Sequence, residues 1–133
     1  MLNAQFLQVD TGYEKNRILI FATKENLKWL ECDIWAANGT FDSVPSLFCQ
    51  LYNIHPLRDE TAIPAIFGLL SNKTEDTYTR FLREVSKLMP NFSLRIIMTD
   101  FEKAALNAFS NVYPDAVQRG CFFHFSQCLW RKV

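Results

Sequence analysis

RIIMTDFEKAALNAF, residues Arg95 to Phe109, changes its period in the middle. Its first half holds an apolar run, Ile96-Ile97-Met98, of the kind that fills a buried strand. Its second half repeats apolar residues at Phe101, Ala104, Ala105, Ala108 and Phe109, which is helical spacing. Glu102, Lys103 and Asn107 fall on the opposite helical face. Thr99-Asp100 stands at the switch between the two periods. Open α/β sheets present their ligand-facing residues at the carboxyl ends of buried strands, so Asp100 is a candidate site residue. Taken alone, a Thr-Asp before a helix is more simply a cap for the helix N-terminus.

The neighbouring stretches give Asp100 its surroundings. Upstream, Ser71-Asn-Lys-Thr74 supplies turn and cap residues for a helix that runs to about Met89 and buries Tyr78, Phe81, Leu82, Val85 and Leu88, with Pro90 stopping it. Before it come three apolar stretches: Cys32 to Asn38, ended by Gly39; Leu47 to His55, after a turn over Phe41 to Pro45; and Ile63 to Leu70. Their short connections predict an antiparallel meander. Because a helix then intervenes, the strand ending at Thr99-Asp100 must run parallel to the first of the three. Positions 38 and 100 thereby reach adjacent strands. Alternation puts Ile34, Ala36 and Asn38 on one face, so neither Asp33 nor Asp42 can stand in for the side chain at position 38.

Toward the ends of the chain, Ala116 to Arg119 reads as a brief fifth strand and Cys121 to Val133 as another helix. Arg17 to Phe21 reads as a short strand packed against the sheet, and Thr23 can cap a helix over Lys24 to about Leu30. Residues 1–16 have mixed character and form a lead-in, leaving 17–133 as the domain.

A chain of 133 residues is one domain with room for a real core, and 49% hydrophobic residues with twelve Phe argue against disorder. The formal net charge is zero, without the basic stripe of a self-sufficient DNA-binding protein. DNA contact would need help from elsewhere. Cys32, Cys49, Cys121 and Cys128 form no Cys-x-x-Cys pair, and Met1 to Asp10 lacks a charged-then-apolar leader. The expectation is an intracellular or nuclear chain with reduced thiols. No apolar run reaches the length of a membrane span.

Four blocks carry a resemblance: NGTFDSVPSLFCQLYNIH (Asn38 to His55), PAIFGLLSNKTEDTY (Pro64 to Tyr78), MTDFEKAALNAF (Met98 to Phe109) and GCFFHFSQCLWR (Gly120 to Arg131). Their order and spacing resemble the MULE-type transposase domain of the Mutator group of DDE transposases, over nearly the whole chain from about Arg17. The resemblance implies an α/β, ribonuclease-H-like fold: a mixed sheet of about five strands, three antiparallel and then parallel, with flanking helices and a C-terminal truncation. It also implies carboxylates at positions 38 and 100 and a Glu far downstream. Together these hold two magnesium ions, which activate water and then a DNA 3′-hydroxyl for attack on phosphodiesters.

Two departures follow from that comparison. Where the family reads Asp-Gly-Thr-Phe, this chain has Asn38, and it stops at Val133, before any position for the final Glu. Hard divalent cations want charged oxygens. At an effective dielectric of about 20 and a separation of roughly 2 to 4 Å, one ion–carboxylate interaction is worth several kcal/mol. Asp100 is therefore expected to be a weak magnesium ligand, Asn38 a degenerate catalytic position, and no magnesium to bind productively.

Cys121 and His124 match the Cys-x2-His motif of the family and are possible metal ligands. With Cys128 they fall at i, i+3 and i+7 on one helical face. A zinc site would need a fourth ligand, such as His55; otherwise the thiols pack as small apolar groups and His124 hydrogen-bonds inside the fold. Phe122, Phe123, Phe125 and Leu129 would leave an apolar patch in so short a chain, predicting self-association.

Three functions remain in view. The first is a partial MULE-type transposase domain, related to DNA transposition and inactive as this chain, with DNA reached through the parent protein. The second is a segment of an active DDE transposase. The third is a domesticated DNA- or protein-binding module.

Overall fold

The computed structural model describes residues 6–41, 44–57, 63–100 and 102–119. In chain order these form β1 (Leu7–Asp10), β2 (Ile18–Phe21), α1 (Lys24–Trp29), β3 (Ile34–Thr40), β4 (Gln50–Pro56), β5 (Ile66–Leu70), α2 (Glu75–Leu88), β6 (Ile96–Thr99), α3 (Lys103–Val112) and β7 (Val117–Arg119). The strands make one mixed sheet in the order β1-β2-β5-β4-β3-β6-β7. From β1 to β3 every neighbouring pair is antiparallel, while β3, β6 and β7 run parallel. The meander and the parallel return of β6 beside β3 are as the spacing predicts.

Among the described residues the sheet has seven strands, where about five are expected. The five expected strands are its β5-β4-β3-β6-β7 portion. The other two come from β2, the expected short strand, which pairs with β5 inside the sheet, and from β1 in the lead-in, which carries no clear period of its own. A hairpin joins β1 to β2. Gly12 takes φ 93° there, and its N–H donates to Asp10 Oδ1 at 2.8 Å. Arg17 closes the same loop with a 2.7 Å ion pair to Asp10. The hydrogen bonds from Arg17 and Gly12 hold the Asp10 carboxyl at about 2, below its ordinary 3.8. A depressed carboxylate favours the fold above its unfolded value and loses that preference as pH falls toward 2. Carboxyl NMR should place the Asp10 midpoint near 2, and Arg17→Gln should return it toward 3.8.

Helix ends follow the cap chemistry. Thr23 accepts from the Asn26 N–H to open α1, and Thr74 accepts from the Thr77 N–H to open α2. The capping reading of Asp100 is displaced: Glu102 occupies the N-cap position of α3 and makes no side-chain cap bond. Gly39 does not end its strand either, since β3 continues to Thr40. A Cβ there would meet Gln50 Oε1, so a larger residue would require the Gln50 side chain to shift. The strands run from Gln50 and Ile66 rather than from the expected Leu47 and Ile63, although Cys49 N–H still donates to Leu70 O at 2.8 Å and Ala65 N–H to Ile54 O at 2.9 Å.

Alternation sorts the sheet into two faces. Trp35, Ala37, Tyr52, Ile54, Ile66, Leu70, Ile18, Ile20 and Ile97 are buried on one face, which packs under α2 and α3. Of the expected α2 core, Tyr78, Phe81, Leu82 and Val85 are buried, and Leu88 is half-buried at the helix end. Phe81 lies directly over Gly68, where a Cβ would strike its ring. Trp35 is stacked on Phe92, meets Tyr113 edge-on and donates its indole N–H to Leu30 O at 2.8 Å. Asn38, Asn53, His55, Phe67 and Met98 belong to the other face by the same alternation. Phe101 and the expected helix from Cys121 to Val133 lie outside the described residues, as do the apolar residues linked to self-association. Among the described residues no helix is long and apolar enough to cross a membrane.

Candidate functional site

The parallel pairing of β3 with β6 matches Ile34 to Ile96, Trp35 to Ile97, Ala36 to Met98 and Ala37 to Thr99. One further step in that register sets Asn38 level with Asp100. Asp100 lies just past the end of β6, and Asn38 is on the face opposite the buried Ala37 and Thr99. The two positions singled out in the sequence are thus brought together at the carboxyl ends of the two central parallel strands.

On the other side of β3, Asn38 pairs with Asn53 and Ala36 with His55. His55 is buried within β4 rather than in a loop, and its Nε2 lies 3.3 Å from Asn38 Oδ1. An amide oxygen only accepts, so that imidazole nitrogen carries the proton in this contact. Parity could have found His55: it occupies the same face of β4 as the partner of Asn38.

Asp100 is held from its C-terminal side. Its Oδ1 accepts from the Glu102 N–H at 3.2 Å. The Glu102 carboxylate, expected to face away from the fold, instead takes the Tyr78 hydroxyl at 3.0 Å on each of its oxygens. Tyr78 Oη in turn accepts from Gln50 Nε2 at 2.9 Å. Gln50 is buried, and its Oε1 occupies the space that a side chain at position 39 would need. Burial pushes the Tyr78 phenol well above the usual tyrosine range. The Gln50 hydrogen bond pulls against that, and the Glu102 charge adds to it. The phenol is a firm donor.

The donor set does not suit a pair of hard divalent ions. It offers one carboxylate and one neutral amide whose oxygen already faces an imidazole N–H. Among the described residues no group of three or more His, Cys, Asp or Glu side chains is placed to hold a metal ion. Cys121, His124 and Cys128 lie outside the described residues. Among the described residues neither Cys32 nor Cys49 forms a disulfide, and Cys32 Sγ donates to Ile34 O at 3.4 Å.

Three comparisons show what the chain is similar to. A stretch of 65 residues, 47% of this chain, is 34% identical to a PKS-NRPS hybrid synthetase, cheA, of Chaetomium globosum. The match spans 1% of that protein, so the chain covers a very small part of the curated relative. The solved Drosophila P element transposase strand transfer complex aligns over 67% of this chain and 25% of that one, with 13% identity and a TM-score of 0.34. The model of the MULE transposase domain matches residues 34–128, from the first residue of β3 through both candidate positions. The chain that sets Asn38 beside Asp100 therefore belongs to the MULE transposase domain family.

Proposed function

We propose that this chain is a transposition-related module of ribonuclease-H-like architecture whose metal-facing pair has lost one acid, and that it does not cut DNA as it stands. The observation that carries the reading is the register of β3 with β6, which pairs Ala37 with Thr99 and so supports positions 38 and 100 lying level with each other. The β5-β4-β3-β6-β7 order also supports it, because a three-stranded meander followed by two parallel strands is the sheet that this architecture requires. Asp100 supplies a charged oxygen, and Asn38 supplies at most a neutral one. When bound, magnesium ions would contribute charge neutralisation and water activation. One carboxylate and an amide engaged by His55 hold that charge poorly.

DNA is the partner in this reading, reached through other parts of the parent protein, and the place of action is the nucleus. The zero formal charge predicts weak, salt-sensitive contact at best for the domain alone. Incubation with supercoiled plasmid and with transposon-end duplexes in Mg2+ or Mn2+ should give no nicking above a metal-free control. A metal-dependent nick by the native chain that disappears in Asp100→Asn would overturn the assignment of inactivity. A nick that persists in that variant would move the active site elsewhere.

A further inference from the structure

We infer that Tyr78 is the positioning residue for Asp100: it ties the turn after β6 to β4 and, through Gln50, to the strand that carries Asn38. The inference rests on the reading of Asp100 as the surviving acid of the site. Three observations carry it. The donors and acceptors close without a gap. The Gln50 amide donates to Tyr78 Oη at 2.9 Å, the phenol donates to both Glu102 oxygens at 3.0 Å, and the Glu102 N–H donates to Asp100 Oδ1 at 3.2 Å. The inner end is buried. Gln50 and Tyr78 are only 1% exposed, Tyr52 packs against the Tyr78 ring at 5.2 Å, and Gln50 also reaches Asn72 O at 3.4 Å. Finally, Gly39, next to position 38, lies against the Gln50 side chain, which would have to shift to admit a Cβ there.

The hydrogen bonds thus run from Gln50, whose side chain lies against Gly39 beside Asn38, through Tyr78 and the covalent frame of Glu102 to the carboxylate of Asp100. They touch no substrate position, so Tyr78 acts through Glu102 and Asp100. The frame persists although the acid at position 38 is gone. Neighbouring groups of this kind fix the orientation of a ligand-bearing side chain, and their loss commonly weakens ligand binding by about 10- to 100-fold.

Amide hydrogen exchange of the native chain reads this directly. Tyr78→Phe keeps the ring and removes the phenol, and exchange at the Glu102 N–H should accelerate by about tenfold or more. Glu102→Ala, altered at a half-buried rim position, should do the same at residue 102 after correction for intrinsic rate. Glu102→Gln, which keeps an acceptor for the phenol, should retain protection. Val85→Ala loosens the same helix without touching the hydrogen-bonded chain and should leave the Glu102 N–H within about twofold of native.

Unchanged exchange in Tyr78→Phe, or equal acceleration in Val85→Ala, would overturn the inference. Mn2+ titration of Asn38→Asp with and without Tyr78→Phe separates it from the reading beneath it. Accelerated exchange without any gain in Mn2+ affinity for Asn38→Asp would sink the metal-site reading and leave the hold of Tyr78 on Asp100 standing. A gain in affinity that Tyr78→Phe does not diminish would sink the positioning role alone.

Discussion

An Asn38→Asp variant is expected to bind Mn2+ about a hundredfold more tightly than the native chain, measured by calorimetric titration or by the loss of the free-ion electron paramagnetic resonance signal. The register places the new carboxylate level with Asp100 on the adjacent strand, so two charged oxygen donors would face the same space. A unit charge a few ångströms from a divalent ion is worth several kcal/mol at an effective dielectric of about 20. Two costs reduce that gain. Both carboxylates repel until the ion arrives, and His55 Nε2, at 3.3 Å from the present amide oxygen, would hold the new carboxylate more firmly than it holds Asn38. A net gain of about 2.7 kcal/mol corresponds to the hundredfold figure. Adding His55→Ala to the Asn38→Asp variant should raise affinity further by freeing that oxygen. A gain below about threefold in Asn38→Asp would show that the two side chains do not converge on one ion.

Stability should fall steeply in alkali, approaching a slope of three protons, or about 4 kcal/mol for each pH unit above 10. Tyr52, Tyr78 and Tyr113 are all buried, and burial is the first cause that raises each phenol above the usual tyrosine value of 10. The sign follows from the direction. A phenol raised in the fold binds its proton more tightly there than in the unfolded chain. Its contribution is complete below the unfolded value and is lost as pH rises through 10 toward the folded one. Urea unfolding at a series of pH values gives the slope, and absorbance at 295 nm should show the three phenols ionising together with loss of structure. Tyr113→Phe should remove one proton from the slope. A slope below one proton between pH 10 and 12 would mean that these phenols ionise within an intact fold.

Period and punctuation made much of the architecture legible. Thr23 and Thr74 mark helix starts by a mechanism local to three residues, and the alternation from Ile34 to Asn38 fixes which side chain can face position 100. The order of elements alone makes β6 parallel to β3. What stayed hidden depends on partners distant in sequence. Leu7 to Asp10 has no strand period, and it becomes a strand because β2 offers it an edge. Gly39 reads as a stop, yet it stands inside the strand, paired with Tyr52 and with the Gln50 side chain against it. Glu102 reads as a solvated helical residue, and only the placement of Tyr78 on α2 turns it inward. The pairing of positions 38 and 100 was legible because it follows from topology. The hydrogen bonds around them were not, because they follow from three-dimensional packing.

The central seam has a kinetic consequence. β3 finds its first partner, β4, across a short connection, but its second, β6, lies sixty-two positions further along the chain, beyond a complete helix. Bringing such remote segments together costs loop entropy before any contact repays it. During synthesis the hairpin of β3 and β4 can therefore assemble while Asp100 is still unmade, and the two faces of the candidate site are among the last parts of the sheet to meet.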